Sequence, residues 1–506
     1  MKLATAAQMR EIDRRAIEEL KIPEGDLLEA AGRAVAMDVA EHFEKGTVAI
    51  LCGKGNNAAD GLVAARYLKK AGWAVHLISA VESKDYGGAC RTAWDTVFGS
   101  VHCQLWRDMA DPVEFLSGMD VVIDALLGTG TKGRPRPPYD AIITALNAAR
   151  VPVVSIDIPS GLDPDTGAAE CAVKAFRTVT IGLPKVGFVT GRGAEYTGAI
   201  RVEPINFPRE LLESAATNRN TLMMSEARLL LPPRPVDGNK GTFGLCVIAA
   251  GSESMPGAAV LSGYGALRGG CGLVRMHTPR SIRNIIALHL PEVLLSKVAA
   301  GETHLEAVGE KIDELMEKAA SIAIGPGIGK APETREFLRE ILKQNIPTVI
   351  DADALNIIAE DDELRALLGE NHLLTPHPGE LARLLGMTTK DIQEDRWSAA
   401  ERAAKELNCV VLVKGEGTLV AEPGGAVTHI GAGNTAWARG GAGDVLTGLI
   451  GSLLAQGMRP AEAAKLGAFV HGMAADIFVK SHSPRGGLTR EVADRIADAF
   501  TALEGR

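Results

Sequence analysis

The chain runs to 506 residues, too many for one hydrophobic core, so two or more domains are expected. With 46% hydrophobic and 23% charged residues it has the make-up of soluble globular protein, and a net charge of −9 without a basic block argues against nucleic acid or an anionic membrane surface as main partner. Seven scattered cysteines with no CxxC pair point to reduced thiols in a cytoplasmic setting and no zinc site, and no signal peptide or membrane span is expected. In chain order, residues 5–20 and 27–43 show helical spacing, broken at Ile22-Pro23-Glu24-Gly25. TVAILC (47–52) reads as a buried strand that empties into GKGNNAADG (53–61), followed by the amphipathic LVAARYLKKAG. Strand, glycine loop and helix in that order bind phosphates at strand ends of doubly wound sheets, although a plain tight turn has the same signature.

AVHLIS, SVHCQL, MDVVIDALLGTG and VPVVSIDIPSG continue the alternation, predicting a largely parallel sheet wrapped by helices. Asp124 precedes LLGTGTKGR (126–134), and Asp157 and Ser160 lie in DIPSGLDPDTG. Gathered at one sheet edge with Asn56, Asn57 and Asp60, they would form a carboxylate-and-amide pocket suited to a hydroxylated ligand or a hard monovalent cation. The plain alternative is that Asp124 and Asp157 cap the following turns. AFRTVTIGLPKVGF and AIRVEPINF read as two final strands. The proline-rich stretch 207–240 lacks a sheet pattern, which places the domain junction near residue 215, giving domains 1–214 and 215–506.

The second half restarts the same grammar. GLCVIAAG (244–251) is a strand opening into SESMPGAA, and AVLSGYGALRGG follows as a helix with small residues on one face. Asp351 and Asp353 stand in the strand-to-helix turn of DADALN, and His377 and Glu380 lie in TPHPGE, where a loop histidine bonded to backbone is the simpler reading. CVVLVKGEGTLVAEPGGAVTHIG reads as antiparallel hairpins, and helices at 460–479 and 487–503 close the chain.

The most pointed stretch is GNTAWARGGAGDVLTG (433–448). Gly440, Gly441 and Gly443 free the backbone for close approach, and the helical pattern that follows Asp444 offers unpaired amides and a positive dipole end to an anion, with that carboxylate in its mouth. An N-cap role for Asp444 is the plain alternative. The KGEGT loop (Lys414 to Thr418) lies about a hairpin upstream, suited to a nucleotide whose phosphates face the glycine turn. Asp444 would then take the proton of an attacking hydroxyl in a kinase-like reaction on a small molecule. The P-loop signature GxxxxGK[ST] is absent.

These motifs resemble the bifunctional NAD(P)H-hydrate repair enzyme family, an NAD(P)H-hydrate epimerase fused to an ADP-dependent NAD(P)H-hydrate dehydratase of the ribokinase-like superfamily. GKGNNAADGLVAARYL, VVIDALLGTGTKG and SIDIPSGLD carry the likeness in the first half. NKGTFG, GSESMPGAA, ALRGGCGLV, IGPGIG, VIDADALN, LTPHPGE, VLVKGEGT and GGAGDVLTG carry it in the second. The resemblance implies a Rossmann-like αβα epimerase domain (1–214) followed by a ribokinase-like αβα dehydratase domain (215–506). In the first, Asn56, Asn57, Ala58, Ala59 and Asp60 with Gly128, Thr129, Gly130, Thr131, Lys132, Gly133 and Arg134 would line the pocket. Asp157 would touch the hydrated nicotinamide as acid/base, and Asn57, Asp124 and Ser160 would hold a potassium ion. In the second, Ala258, Gly327 and His377 would contact the hydrate, and Lys414, Gly415, Glu416, Gly417, Thr418 and Gly443 the adenine nucleotide. Asp444 would deprotonate the C6 hydroxyl, with Mg2+ bridging the phosphates of ADP. Homo-oligomers are common in the family. A kinase for a small alcohol, with a non-catalytic N-terminal binding domain, is the competing expectation. The family usually has glycines at positions 58 and 59, histidine at Asn239, and Asp-Ile-Gly within VEPINFP. An alanine forced to positive φ would cost about 1 kcal/mol.

Overall fold

Seven short apolar runs of the first half line up as one parallel sheet: β1 (Thr47–Cys52), β2 (Ala74–Ser79), β3 (His102–Leu105), β4 (Val121–Ala125), β5 (Val153–Ile156), β6 (Arg177–Ile181) and β7 (Ala199–Glu203). Their order is β3-β2-β1-β4-β5-β6-β7, so the winding reverses between β1 and β4, where the carboxyl ends of two neighbouring strands part and leave a crevice. Alternate residues serve the two faces. Val48, Ile50, Val121 and Ile123 pack with Val35, Val39, Leu62 and Leu68 of the helices Glu24–His42 and Asn56–Lys70. Ala49, Leu51 and Val122 pack with Ile142, Ile143 and Leu146 of the helix Tyr139–Ala149 on the other face. Burial on both faces is why these strands read as continuous apolar runs.

This computed structural model describes residues 1–298, 300–306 and 309–505. Contacts divide the chain into two compact units, one of residues 2–219 and one of residue 1 with 220–506. At the start of the first, Thr5 caps the helix Ala6–Arg14 through a reciprocal box with Gln8, and a π-turn over Arg15–Glu19 ends the segment.

The second unit is built on a ten-stranded sheet. Its strands are β8 (Arg219–Thr221), β9 (Leu245–Ala249), β10 (Leu273–His277), β11 (Leu294–Leu295), β12 (Ser321–Ile324), β13 (Thr348–Ile350), β14 (His372–Leu374), β15 (Val410–Val413), β16 (Thr418–Ala421) and β17 (Val427–Ile430). The order is β11-β10-β9-β12-β13-β14-β15-β16-β17-β8, parallel from β11 through β15 and antiparallel over β15, β16 and β17. β8 lies in the stretch that the sequence pattern leaves without a strand. The helices Pro256–Gly269 and Ala442–Ala455 meet backbone to backbone: a Cβ on Gly265 would fall 2.1 Å from the Val445 carbonyl oxygen, and one on Gly448 1.8 Å from that of Ser262. Their contact fixes the helix that carries Asp444.

Candidate functional site

In the first unit the expected pocket residues gather at the switch point. Asn57 opens the helix after β1 and donates from Nδ2 to the Leu127 carbonyl at 3.0 Å, while a Cβ on Gly128 would lie 3.7 Å from the Asn57 Cβ. Asp124, at the end of β4, is fully buried. It accepts from Ser160 Oγ (2.6 Å), Ser160 N (2.9 Å), Ser155 Oγ (2.8 Å) and Leu126 N (3.3 Å). No described lysine, arginine or histidine pairs with it, and burial pushes its carboxyl pKa upward. A buried carboxylate beside the hydroxyls of Ser155 and Ser160 and near the Leu127 carbonyl, which accepts from Asn57 and Ser160, with no cation paired to it among the described residues, is an oxygen-rich donor set that fits a monovalent cation.

Asp157 follows β5 in a left-handed conformation, φ 62°. Its Oδ1 accepts from the Ile181 amide at 3.0 Å and pairs with the ammonium of Lys185, which is 1% exposed and also donates to Thr180 Oγ1 at 2.9 Å. Asp60 is 7% exposed, and burial, then the charges of Asp157 and Asp13, hold its carboxyl well above the ordinary range. Burial and then Asp157 raise Asp13 to about 6, against the opposing charge of Lys185. The sequence reading missed Asp13 and Lys185. A lysine inside the apolar run GLPKVGF is the one signal that pointed to the second; Asp13 reads as part of a solvated helix face.

Ala58 and Ala59 lie in the helix Asn56–Lys70 without positive φ, both fully buried in the core, so the cost attached to alanine there does not arise and their side chains are packed away from solvent. Gly128, Thr129 and Thr131 are half-buried, while Asn56, Gly130, Lys132, Gly133 and Arg134 are exposed.

In the second unit the GGAGD turn forms around Gly441, φ 87°, which is itself the N-cap of the helix Ala442–Ala455. The helix thus begins two residues before Asp444 rather than after it. Asp444 sits in the first turn, half-buried, and is not the cap. Asp351, 1% exposed at the end of β13, accepts from Lys414 Nζ at 2.6 Å and from Thr447 Oγ1 at 2.7 Å. Lys414 also approaches Glu380 at 3.8 Å, and a Cβ on Gly443 would stand 3.5 Å from Lys414 Nζ and 3.6 Å from Asp351 Oδ2. Burial, and after it the negative charge of Asp351, pushes Asp444 up to about 7, with Lys414 pulling the other way. A carboxyl that titrates near neutrality at a helix N-terminus is suited to take a proton from a hydroxyl.

The surroundings brace this turn. Neutral His471, pushed down to about 3 by burial, bonds the Ala442 carbonyl at 3.1 Å and stacks on Trp437 with centroids 4.0 Å apart. Asp476 accepts from the Gly433 amide at 2.9 Å. Gly327, φ 64°, comes close to Ala258, where a Cβ would be 2.9 Å from the alanine's own, and the neighbouring Gly329 amide donates to Asp353 at 2.9 Å. His377 is an exposed N-cap: its Nδ1 accepts from the Gly379 amide at 2.9 Å, the simpler of the two sequence readings, and its backbone neighbour Pro376 accepts from the Lys414 amide at 2.9 Å. In the KGEGT loop the Lys414 ammonium is committed to Asp351, whereas Gly415 and Glu416 are exposed and Gly417 and Thr418 half-exposed.

Two α/β units, one with a carboxylate pocket at a switch point and one with a near-neutral carboxyl at a glycine-turn helix start, define a two-centred enzyme. The profile described as NAD(P)H-hydrate dehydratase matches residues 245–498, and that of the YjeF-related protein N-terminus matches residues 24–187. The bifunctional NAD(P)H-hydrate repair enzyme Nnr of Moorella thermoacetica is 38% identical over 530 residues, covering 100% of this chain and 97% of that protein. The enzyme of the same name from Escherichia coli strain K12 is 33% identical over 497 residues, covering 96% of this chain and 92% of that one. Among solved structures, the ADP/ATP-dependent NAD(P)H-hydrate dehydratase from Bacillus subtilis co-crystallized with ATP/Mg2+ is 30% identical, with TM-score 0.48, over 57% of this chain and 100% of that one. The chain belongs to the bifunctional NAD(P)H-hydrate repair enzyme family.

Proposed function

We propose that this chain repairs hydrated NAD(P)H in two steps: the first unit interconverts the R and S epimers, and the second dehydrates the S form at the expense of ADP. The division follows the 1–214 and 215–506 assignment. Membership in the family supports the pairing of activities, and the raised carboxyl of Asp444 at the glycine turn is the observation that carries the second. Asp444 takes the proton of the C6 hydroxyl as its oxygen bonds to the terminal phosphoryl group of ADP and the bond to AMP breaks. Phosphate then leaves C6 as a proton leaves C5, restoring the ring double bond. The amides at the start of the helix Ala442–Ala455 stabilise charge on the phosphoryl group in transit. Gly415 to Thr418 and Gly443 hold the nucleotide, with Lys414 contributing its backbone and its charge beside Asp351. Ala258, Gly327 and His377 contact the hydrate. A Mg2+ ion arriving with the nucleotide would offset the negative charge of its phosphates.

In the first unit Asp124, Ser160 and Asn57 would hold potassium, whose charge offsets that of the buried Asp124. Asn56, Asn57, Asp60 and Gly128 to Arg134 line the pocket, Ala58 and Ala59 contributing backbone alone, and Asp157 acts on the hydrated ring. We place the protein in the cytoplasm as a homo-oligomer; no described helix is long and apolar enough to cross a membrane.

Incubating the protein with mixed R and S hydrates of NADH and ADP tests the reading. Absorbance of reduced nicotinamide should return in full, with AMP and phosphate released. Phosphate transfer to a small alcohol without that recovery would overturn it in favour of a kinase.

A further inference from the structure

The segment ahead of the first strand docks on the loop that carries Lys185, the ion-pair partner of Asp157. Ala4 pairs with Lys185 as an isolated parallel bridge, its amide donating to Pro184 O at 2.9 Å and its carbonyl accepting from Val186 N at 3.0 Å. The helix Ala6–Arg14 therefore starts over the loop that follows β6. Met9 of this helix leaves only 2.7 Å between its Cε and a Cβ on Gly182, and Ile12 is buried with Leu183 and Phe207. Asp13, next in sequence and half-buried, lies within the electrostatic reach of Asp157, Lys185 and Asp60.

The three carboxylates are not equivalent. Asp157 is bound by Lys185, Thr180 and the Ile181 amide. Asp60 is 7% exposed, and no described residue donates to it. A side chain so buried and so unpartnered calls for a polar group from outside the protein, such as the hydroxyl of a ligand. Asp13 likewise has no hydrogen-bond donor among the described residues.

We propose that Asp13 is a further catalytic residue of the epimerase pocket, the proton-transfer group that works with Asp157, with Lys185 as the positioning residue whose ammonium holds the Asp157 carboxyl in place. This rests on the reading of the first unit as an epimerase. The C6–O bond of the hydrate breaks as the ring-nitrogen lone pair forms an N1=C6 bond, and the departing hydroxide takes the proton of Asp13 and leaves as water. Water adds to the other face of C6, the N1=C6 electron pair returns to nitrogen, and Asp157 takes the proton released. One proton is given and one taken, and exchange with solvent resets the pair; in the reverse direction the two carboxyls trade roles.

The test uses the full chain with pure R hydrate of NADH and no nucleotide, following the R-to-S ratio by chromatography. Asp13→Asn should lower kcat about 100-fold or more with KM within about threefold, and Asp13→Glu should regain part of the rate. The pH profile of kcat/KM in the unaltered protein should show a limb near 6 that Asp13→Asn abolishes. A rate within about threefold and an unchanged profile in Asp13→Asn would overturn the assignment. Should that variant fail to fold, the unaltered protein decides: a profile flat between about pH 5 and 7.5 overturns it. Failure of the unaltered protein to convert either epimer would instead remove the epimerase reading, and this assignment with it.

Discussion

Lys414 and Asp444 illustrate how two charges on one centre divide the work. Lys414 is held above its ordinary pKa because Asp351 and Glu380 outweigh the effect of burial, so it stays cationic through the physiological range. Burial and then the charge of Asp351 push Asp444 up to about 7, against the pull of that cation. Only the ionised carboxylate accepts a proton, so dehydration should accelerate as pH rises through about 7 and slow as it falls below. Lys414→Met removes the charge that lowers the Asp444 pKa, so this limb should move to higher pH; steady-state kcat against pH checks both, and a limb that stays in place would detach Asp444 from the profile. Much of this centre was legible in the sequence, because GGAGD, KGEGT and DADALN advertise turns and strand ends by composition. The Lys414–Asp351–Thr447 connection was not, since its partners lie 63 and 96 positions from Asp351 and only the fold joins them.

At the scale of elements, the first sheet followed from apolar runs separated by glycine turns, and its 3-2-1-4-5-6-7 order is the one in which strand ends part between β1 and β4. Local signals blurred where one residue serves two ends: Arg495 divides the predicted C-terminal helix into Thr489–Asp494 and Ile496–Glu504, and nothing in its sequence marks a stop. The small-residue face expected on AVLSGYGALRGG proved to be half of a close contact, whose other half comes from Gly448 on the helix that carries Asp444. A valine there must displace the Ser262 carbonyl, which sits 1.8 Å from where its Cβ would stand. Gly448→Val should lower stability by roughly 3 kcal/mol, measured by denaturant unfolding of the second-unit transition, and should reduce dehydration more than epimerisation. A variant as stable as the parent would show that the helices can part without cost.

Across the whole molecule, each unit carries its own cluster of buried carboxylates, one at a Rossmann-like switch point and one at a helix start beside a mixed sheet. Composition announced two domains, and the glycine-rich strand ends announced two sites. Sequence alone could not show that the helix bearing Asp13 docks on the loop of Lys185, the partner of Asp157, because that depends on a two-residue bridge between Ala4 and Lys185. The most direct measurement feeds pure R hydrate of NADH and ADP to the full chain bearing Asp444→Asn. The R epimer should still equilibrate to S at the parental rate, while return of NADH absorbance falls about 100-fold or more with ADP affinity preserved. Recovery of NADH at a rate within about threefold of the parent would contradict the assignment of Asp444 as the base on which dehydration depends.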